Sequence, residues 1–360
     1  MAQGKRRRLT IWEKYLTLWV VLCIGVGIGL GFAFPQISTA LGRLTVAQIS
    51  IPVGILLFGM IYPIMVQIEF AEVKKAARAP KPILTTLVAN WLIKPFTMAF
   101  FAWLFLGVIF KGFLPPETAL DYRAGMILLG VAPCTAMVLM WSYLAEGNMG
   151  HTLVMTAINS LSMIVLYVPL AGLLLGASGI PIPWATIAFS VVIYICTPLI
   201  AGYFTRSQVI KRKGREWFET RFVPPLRTVA LIALLLTLVV LFSLQGYVII
   251  QLPKAVGIIA IGIFANILFV FAITYIISRF IRLPYEDAAP TALIAGSNHF
   301  EVAVAVAVTV FGLASGAVLA TVVGILTEVP FMLFLVWLCL RTRKFFYQPK
   351  PQPANDDGKT

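Results

Sequence analysis

Long apolar runs, most of them twenty residues or more, recur along this chain, and short polar segments rich in Lys and Arg separate them. A helix rises about 1.5 Å per residue, so about 20 apolar residues suffice to cross a hydrocarbon core about 30 Å thick. Ten runs are predicted as membrane spans, at about 15–34, 47–66, 83–110, 124–144, 151–175, 184–205, 224–246, 253–279, 289–311 and 315–341. The short alternating segments of a transmembrane β-barrel are missing. The pattern therefore predicts an all-α polytopic membrane protein with both termini on one side.

Two of these runs are broken in the middle. In the fourth, Gly130-Val131-Ala132-Pro133-Cys134-Thr135-Ala136-Met137-Val138-Leu139-Met140-Trp141 places Pro133 and Cys134 about ten residues in, roughly 15 Å deep. In the ninth, the break is Ala295-Gly296-Ser297-Asn298-His299-Phe300-Glu301. Each broken span is the fourth of a set of five, 15–175 and 176–345. Five is odd, so a repeated set must enter the membrane the opposite way. That is the inverted-repeat plan of many secondary transporters, in which interrupted helices at matching positions point to the binding site. The expected layout is a basic N-terminus at 1–14, two five-helix repeats with a cytoplasmic linker at 206–223 after the sixth span, and a disordered tail at 346–360.

Composition agrees with this reading. The chain is 60% hydrophobic and 12% charged, against roughly 45–50% and 25% in soluble domains. A net charge of +14 would suit a polyanion partner, but the cations are placed otherwise. Of 28 Lys and Arg, 23 fall in the segments on one side. Arg43, Lys111, Arg123 and Lys254 fall on the other, and Lys94 lies within the third span. The positive-inside rule accounts for this bias without nucleic acid. It predicts a multi-pass protein of an inner or plasma membrane with both termini cytoplasmic.

Four cysteines, at 23, 134, 196 and 339, show no CxxC spacing, so neither a disulfide framework nor a closed zinc site is indicated. Histidine occurs only at 151 and 299. HExxH, P-loop and GxSxG patterns are missing, and this lack of a catalytic constellation argues against a membrane-embedded enzyme or receptor. Without a nucleotide-binding module, transport would draw on an ion gradient.

Three formal charges lie deep in the spans: Lys94, Glu301 and Glu328. An ionised group there costs at least about 2.5–3.5 kcal/mol on insertion scales, so each is a functional candidate. The plain alternative is a structural ion pair between Lys94 and one glutamate. Two acids against one base still leave a carboxylate that can carry a proton. Ser297 and Asn298 precede Glu301 by four and three residues, which on helical spacing puts all three on one face. His299 points elsewhere in a helix, and an unwound backbone would free it to act as a proton relay. A packing role for His299 is the alternative. A lone membrane cysteine is usually a small hydrophobe, but Cys134 sits beside Pro133 in the break and offers a soft ligand. Asn90 and Asn159 either line the same cavity or bond helix to helix.

The run from Gly130 to Trp141, Asn159, the Gly296–Glu301 segment and Glu328-Val329-Pro330 together resemble the arsenite efflux permeases of the yeast-type arsenical-resistance family. That family lies within the bile-acid, arsenite and riboflavin transporter superfamily. The resemblance extends to about residue 345. It implies ten helices in two inverted repeats with crossing, discontinuous helices four and nine. It also implies proton-coupled export of trivalent arsenite, in some members antimonite, without a cofactor. By position, Cys134 matches the thiol that engages arsenic. Glu301 and Glu328 match the acidic coupling positions, and Trp141 and Asn159 match aromatic and polar positions. Ser297 and Asn298 complete the expected substrate contacts, with Lys94, Asn90 and His299 as further candidates. A sodium-coupled organic-anion symporter of the same fold is the rival reading. It would want more oxygen acceptors for sodium and no thiol.

Overall fold

The computed structural model describes residues 16–34, 36, 45–46, 49–68, 80–135 and 137–347. The basic N-terminus, Arg43, Lys74, Lys75, Arg78 and the tail from Gln348 onward lie outside the described residues. The helices are α1 Leu16–Ala33, α2 Ile51–Gln67, α3 Pro80–Ile109, α4 Pro116–Val131, α5 Val138–Leu144, α6 Met149–Ala177, α7 Trp184–Lys213, α8 Arg215–Gln251, α9 Pro253–Phe280, α10 Tyr285–Gly296, α11 Phe300–Phe311 and α12 Gly316–Thr342. Before α2, Thr45–Val46 (β1) pairs antiparallel with Ile49–Ser50 (β2).

Among the described residues six helices, α3, α6, α7, α8, α9 and α12, are long and apolar enough to cross a membrane unaided. Large apolar side chains such as Leu92, Val165 and Phe280 stay exposed on their outer faces. In water that would be unfavourable, whereas in lipid it costs nothing. The protein is a polytopic, all-helical membrane protein.

Four helical segments are widened to π geometry, and three of them directly precede an X-Pro pair. Ala89–Ile93 precedes Lys94-Pro95, Val192–Cys196 precedes Thr197-Pro198, and Phe218–Phe222 precedes Val223-Pro224. Proline lacks an N–H and crowds the carbonyl four residues back, so the turn before it opens instead of breaking. This explains the expected linker at 206–223. It is helical nearly throughout, interrupted at Gly214 with φ of +86°.

The helices pack in two groups. In one, α8 lies along α1 and α2, and α7 along α2; in the other, α4 packs on α3 and α12, and α9 on α3, α10 and α12. Close crossings depend on missing side chains. A Cβ on Gly31 of α1 would sit 2.1 Å from the Ser243 carbonyl oxygen of α8, and one on Gly125 of α4 would sit 2.1 Å from that of Ala317 in α12. Backbones can approach this closely only where the residue is glycine.

Candidate functional site at the helix breaks

The two predicted interruptions are real breaks, and they touch. Pro133 restricts the residue before it, and Ala132 is extended, with φ −97° and ψ 99°, ending α4. In the other break Ser297 is extended, with φ −85° and ψ 149°, so α10 ends at Gly296 and α11 starts after His299. Pro133 and Asn298 form an antiparallel bridge, and the His299 N–H donates to the Ala132 carbonyl at 2.8 Å. Two stretches 165 residues apart thus form a short two-stranded contact inside a helical protein.

Neighbouring helices satisfy the backbone groups that the breaks expose. From α6, Asn159 donates through Nδ2 to the Cys134 carbonyl at 3.1 Å, and its Oδ1 accepts from Asn90 Nδ2 of α3 at 3.1 Å. From α12, Glu328 accepts through Oε1 from Ser297 Oγ at 2.5 Å and from the Asn298 N–H at 3.0 Å; its Oε2 accepts from Asn298 Nδ2 at 3.2 Å. From α3, the Lys94 ammonium donates to the Ser297 carbonyl oxygen. The Cys134 thiol lies within hydrogen-bonding reach of the Ser297 side chain.

These contacts correct one expectation. Ser297 and Asn298 do not share a helical face with Glu301, because residues 297–299 are unwound; both side chains turn to Glu328 instead. Unwinding also redirects His299, whose Nδ1 lies 2.7 Å from Glu301 Oε2. The glutamates therefore separate by environment. Glu328 is held by three hydrogen bonds near Lys94, and Glu301 is held on one oxygen by a histidine.

The crossing is closed on all sides, with Lys94, Cys134, Trp141, Asn159, Ser297, His299, Glu301 and Glu328 each no more than 2% exposed. Six buried polar atoms there have no partner among the described residues: Asn90 Oδ1, Thr135 Oγ1, Trp141 Nε1, Asn298 Oδ1, His299 Nε2 and Glu301 Oε1. Buried polar groups left unpaired cost free energy, and their clustering marks a place where a polar ligand can bind. Among the described residues no group of three His, Cys, Asp or Glu is arranged to trap a metal ion. One thiol faces the breaks.

Sequence reasoning missed Asn266, the single amide of α9, which accepts from Thr97 Oγ1 at 2.7 Å one turn along from Lys94. Its mid-helix position was the available signal. A cleft of about 570 Å³ lies elsewhere. It lies between Glu117, Asp121, the 179–183 segment and Val310, about 14 Å along α11 from Glu301.

Interrupted helices that meet through polar, buried breaks in a polytopic bundle define a membrane transporter. A family model described as the sodium bile acid symporter family matches residues 54–252. The chain is 45% identical to the arsenical-resistance protein Acr3 of Alkaliphilus metalliredigens, over 93% of this chain and 94% of that one. It is 35% identical to the Acr3 of Corynebacterium glutamicum, over 94% and 91% respectively. An uncharacterized transporter of Synechocystis sp. is 51% identical over 96% of this chain and 92% of its own length. The chain belongs to the sodium bile acid symporter family, in the branch of the Acr3 arsenical-resistance proteins.

Proposed function

We propose that this transporter exports trivalent arsenite from the cytoplasm in exchange for protons. Its spans number ten, in two inverted five-helix repeats with both termini cytoplasmic. One observation carries the reading: the Pro133–Asn298 bridge brings the buried thiol of Cys134 against Ser297, beside Glu328 and the His299–Glu301 pair. The names of two relatives supply the substrate class. The repeat is supported by the grouping of α1 and α2 with α7 and α8, which are the first two spans of each half.

At neutral pH arsenite is mostly the uncharged trihydroxide, which needs hydrogen bonds and one soft contact more than a counter-charge. The Cys134 thiol exchanges with one arsenic hydroxyl: the S–H and As–O bonds break, an As–S bond forms, and the proton and hydroxide leave as water. No oxidation state changes, and hydrolysis reverses the step. The remaining hydroxyls meet the unpartnered Asn298 Oδ1, His299 Nε2 and Trp141 Nε1. A single thiol keeps binding weak enough for release, and antimonite, the heavier trihydroxide, suits the same chemistry. Protonation of Glu301 or Glu328 from outside favours release, through unequal affinity of the two conformations for substrate.

Everted membrane vesicles test this directly. Arsenite accumulation driven by an imposed proton gradient, and lost in Cys134→Ala and Glu301→Gln, is the expected result. Accumulation driven only by sodium, or full transport in Cys134→Ala, would defeat it, and organic anions would then be the substrates to try.

A further inference from the structure

The family's description names sodium, and oxygen atoms of the kind sodium takes do converge at the break of α10 and α11. They are the Ser297 carbonyl, the Ser297 hydroxyl and the Glu328 carboxylate. Unwound backbone carbonyls together with a carboxylate form the ordinary cation site of an interrupted helix. In this chain one of those oxygens, the Ser297 carbonyl, is already engaged by a positive charge. Lys94, 1% exposed, donates to the Ser297 carbonyl oxygen, and Glu328 is the principal carboxylate its charge faces. Residues and ion do not fit together. A second unit charge a few ångströms from an ammonium in a buried site would be repelled strongly enough to weaken binding by orders of magnitude.

We infer that the Lys94 ammonium is a tethered cation that takes the place of a sodium ion at the crossing, so that this transporter neither binds sodium there nor uses it for coupling. Local structure supports the assignment. The π-turn at Ala89–Ile93, opened by Pro95, ends at Lys94, and Thr97 on the next turn is fixed to Asn266 of α9 at 2.7 Å. Lys94 is thereby aimed at the break from a helix tied on both sides. A tethered cation cannot dissociate during the cycle. Only a species that changes charge in place, a proton on one of the groups around Lys94, can then alter the electrostatics of the crossing. Those groups are Glu328 and Cys134, with the His299–Glu301 pair beyond Cys134.

The inference rests on the proposed transport function in its transport arm alone. The binding arm uses purified full-length protein in detergent. Thermal unfolding is followed as sodium chloride replaces choline chloride at constant ionic strength, for the wild type, Lys94→Ala, Lys94→Gln and Lys94→Ala/Glu328→Gln. The wild type is expected to be indifferent to sodium. Removing the ammonium should create a saturable, sodium-specific rise in melting temperature, following the mass-action form for a bound ligand, and Glu328→Gln should abolish it. A saturable sodium effect on the wild type would overturn the inference, as would a flat response in both single variants. Should neither variant survive purification, the wild-type titration decides alone. In vesicles, sodium but not choline should restore arsenite transport to Lys94→Ala. Failure of the wild type to move arsenite would overturn the functional reading and leave the sodium titration to stand on its own.

Discussion

Asn159 and Glu328 flank the two interrupted helices and serve opposite halves of the peptide unit. Asn159 donates to the Cys134 carbonyl at 3.1 Å, and Glu328 accepts from the Asn298 N–H at 3.0 Å. Each repairs a backbone group that the break leaves without a helical partner. Leaving a buried acceptor unpaired costs about 1–3 kcal/mol, so Asn159→Ala should destabilise the detergent-solubilised protein by that amount. Glu328→Ala strips partners from three donors and should cost more, whereas Glu328→Gln keeps an acceptor and should cost less. Thermal unfolding of the three variants checks the order, and an Asn159→Ala protein as stable as the wild type would contradict it.

Cys134 separates softness from shape. Cys134→Ser nearly preserves size and keeps a hydrogen-bonding group while removing the soft ligand. Stability should hold in this variant and arsenite transport should fall. A lost contact worth even about 1.4 kcal/mol is tenfold in affinity, so the apparent affinity for arsenite should weaken by at least about that factor. Cys23, Cys196 and Cys339, of which Cys23 and Cys196 are partly exposed and Cys339 is buried, should tolerate alanine with transport intact.

His299 and Glu301 lie 2.7 Å apart and both are 1% exposed. His299→Phe removes the one partner this carboxylate has among the described residues, and transport should drop sharply. His299→Asn restores a donor of similar reach and should recover part of the rate. Equal rates in the two variants would mean that His299 only fills space.

Gly125 sets the distance between α4 and α12. Its Cβ position lies 2.1 Å from the Ala317 carbonyl oxygen, an overlap with backbone that no rotamer relieves. Overpacking typically costs about 1–3 kcal/mol, occasionally more, so Gly125→Val should lower the melting temperature and the yield of folded protein. At Gly29, with open space around its Cβ position, alanine should be nearly neutral. A Gly125→Val protein that melts like the wild type would show that the two helices can separate freely.

The breaks were legible in the sequence because Pro133 and the Gly296-Ser297-Asn298 run violate helical chemistry at membrane depth, and such violations are local. Partner choice was not legible. Ser297 and Asn298 stand near Glu301 in sequence but bond Glu328, because unwinding three residues rotates their side chains away from the face that helical spacing assigns. The meeting of Pro133 with Asn298, and of Thr97 with Asn266, depends on distances between helices, which no local pattern encodes. The helical continuation through 206–223 was hidden for another reason. Charged residues there read as a linker, although a helix emerging from a membrane can carry charge on all sides.

The widened turn at Ala89–Ile93 is one residue longer than an α-helical turn needs. It lets Asn90 reach Asn159 while Lys94 reaches Ser297. In an ideal helix each residue advances about 100° around the axis, so a single deletion inside this turn would leave α3 continuous yet swing its entire N-terminal half out of phase. Asn90 would lose α6 while Lys94 kept its place. A length change of one residue, remote in sequence from the cysteine and the carboxylates, would thus free α6 from α3 at the crossing without altering any group that touches the cargo.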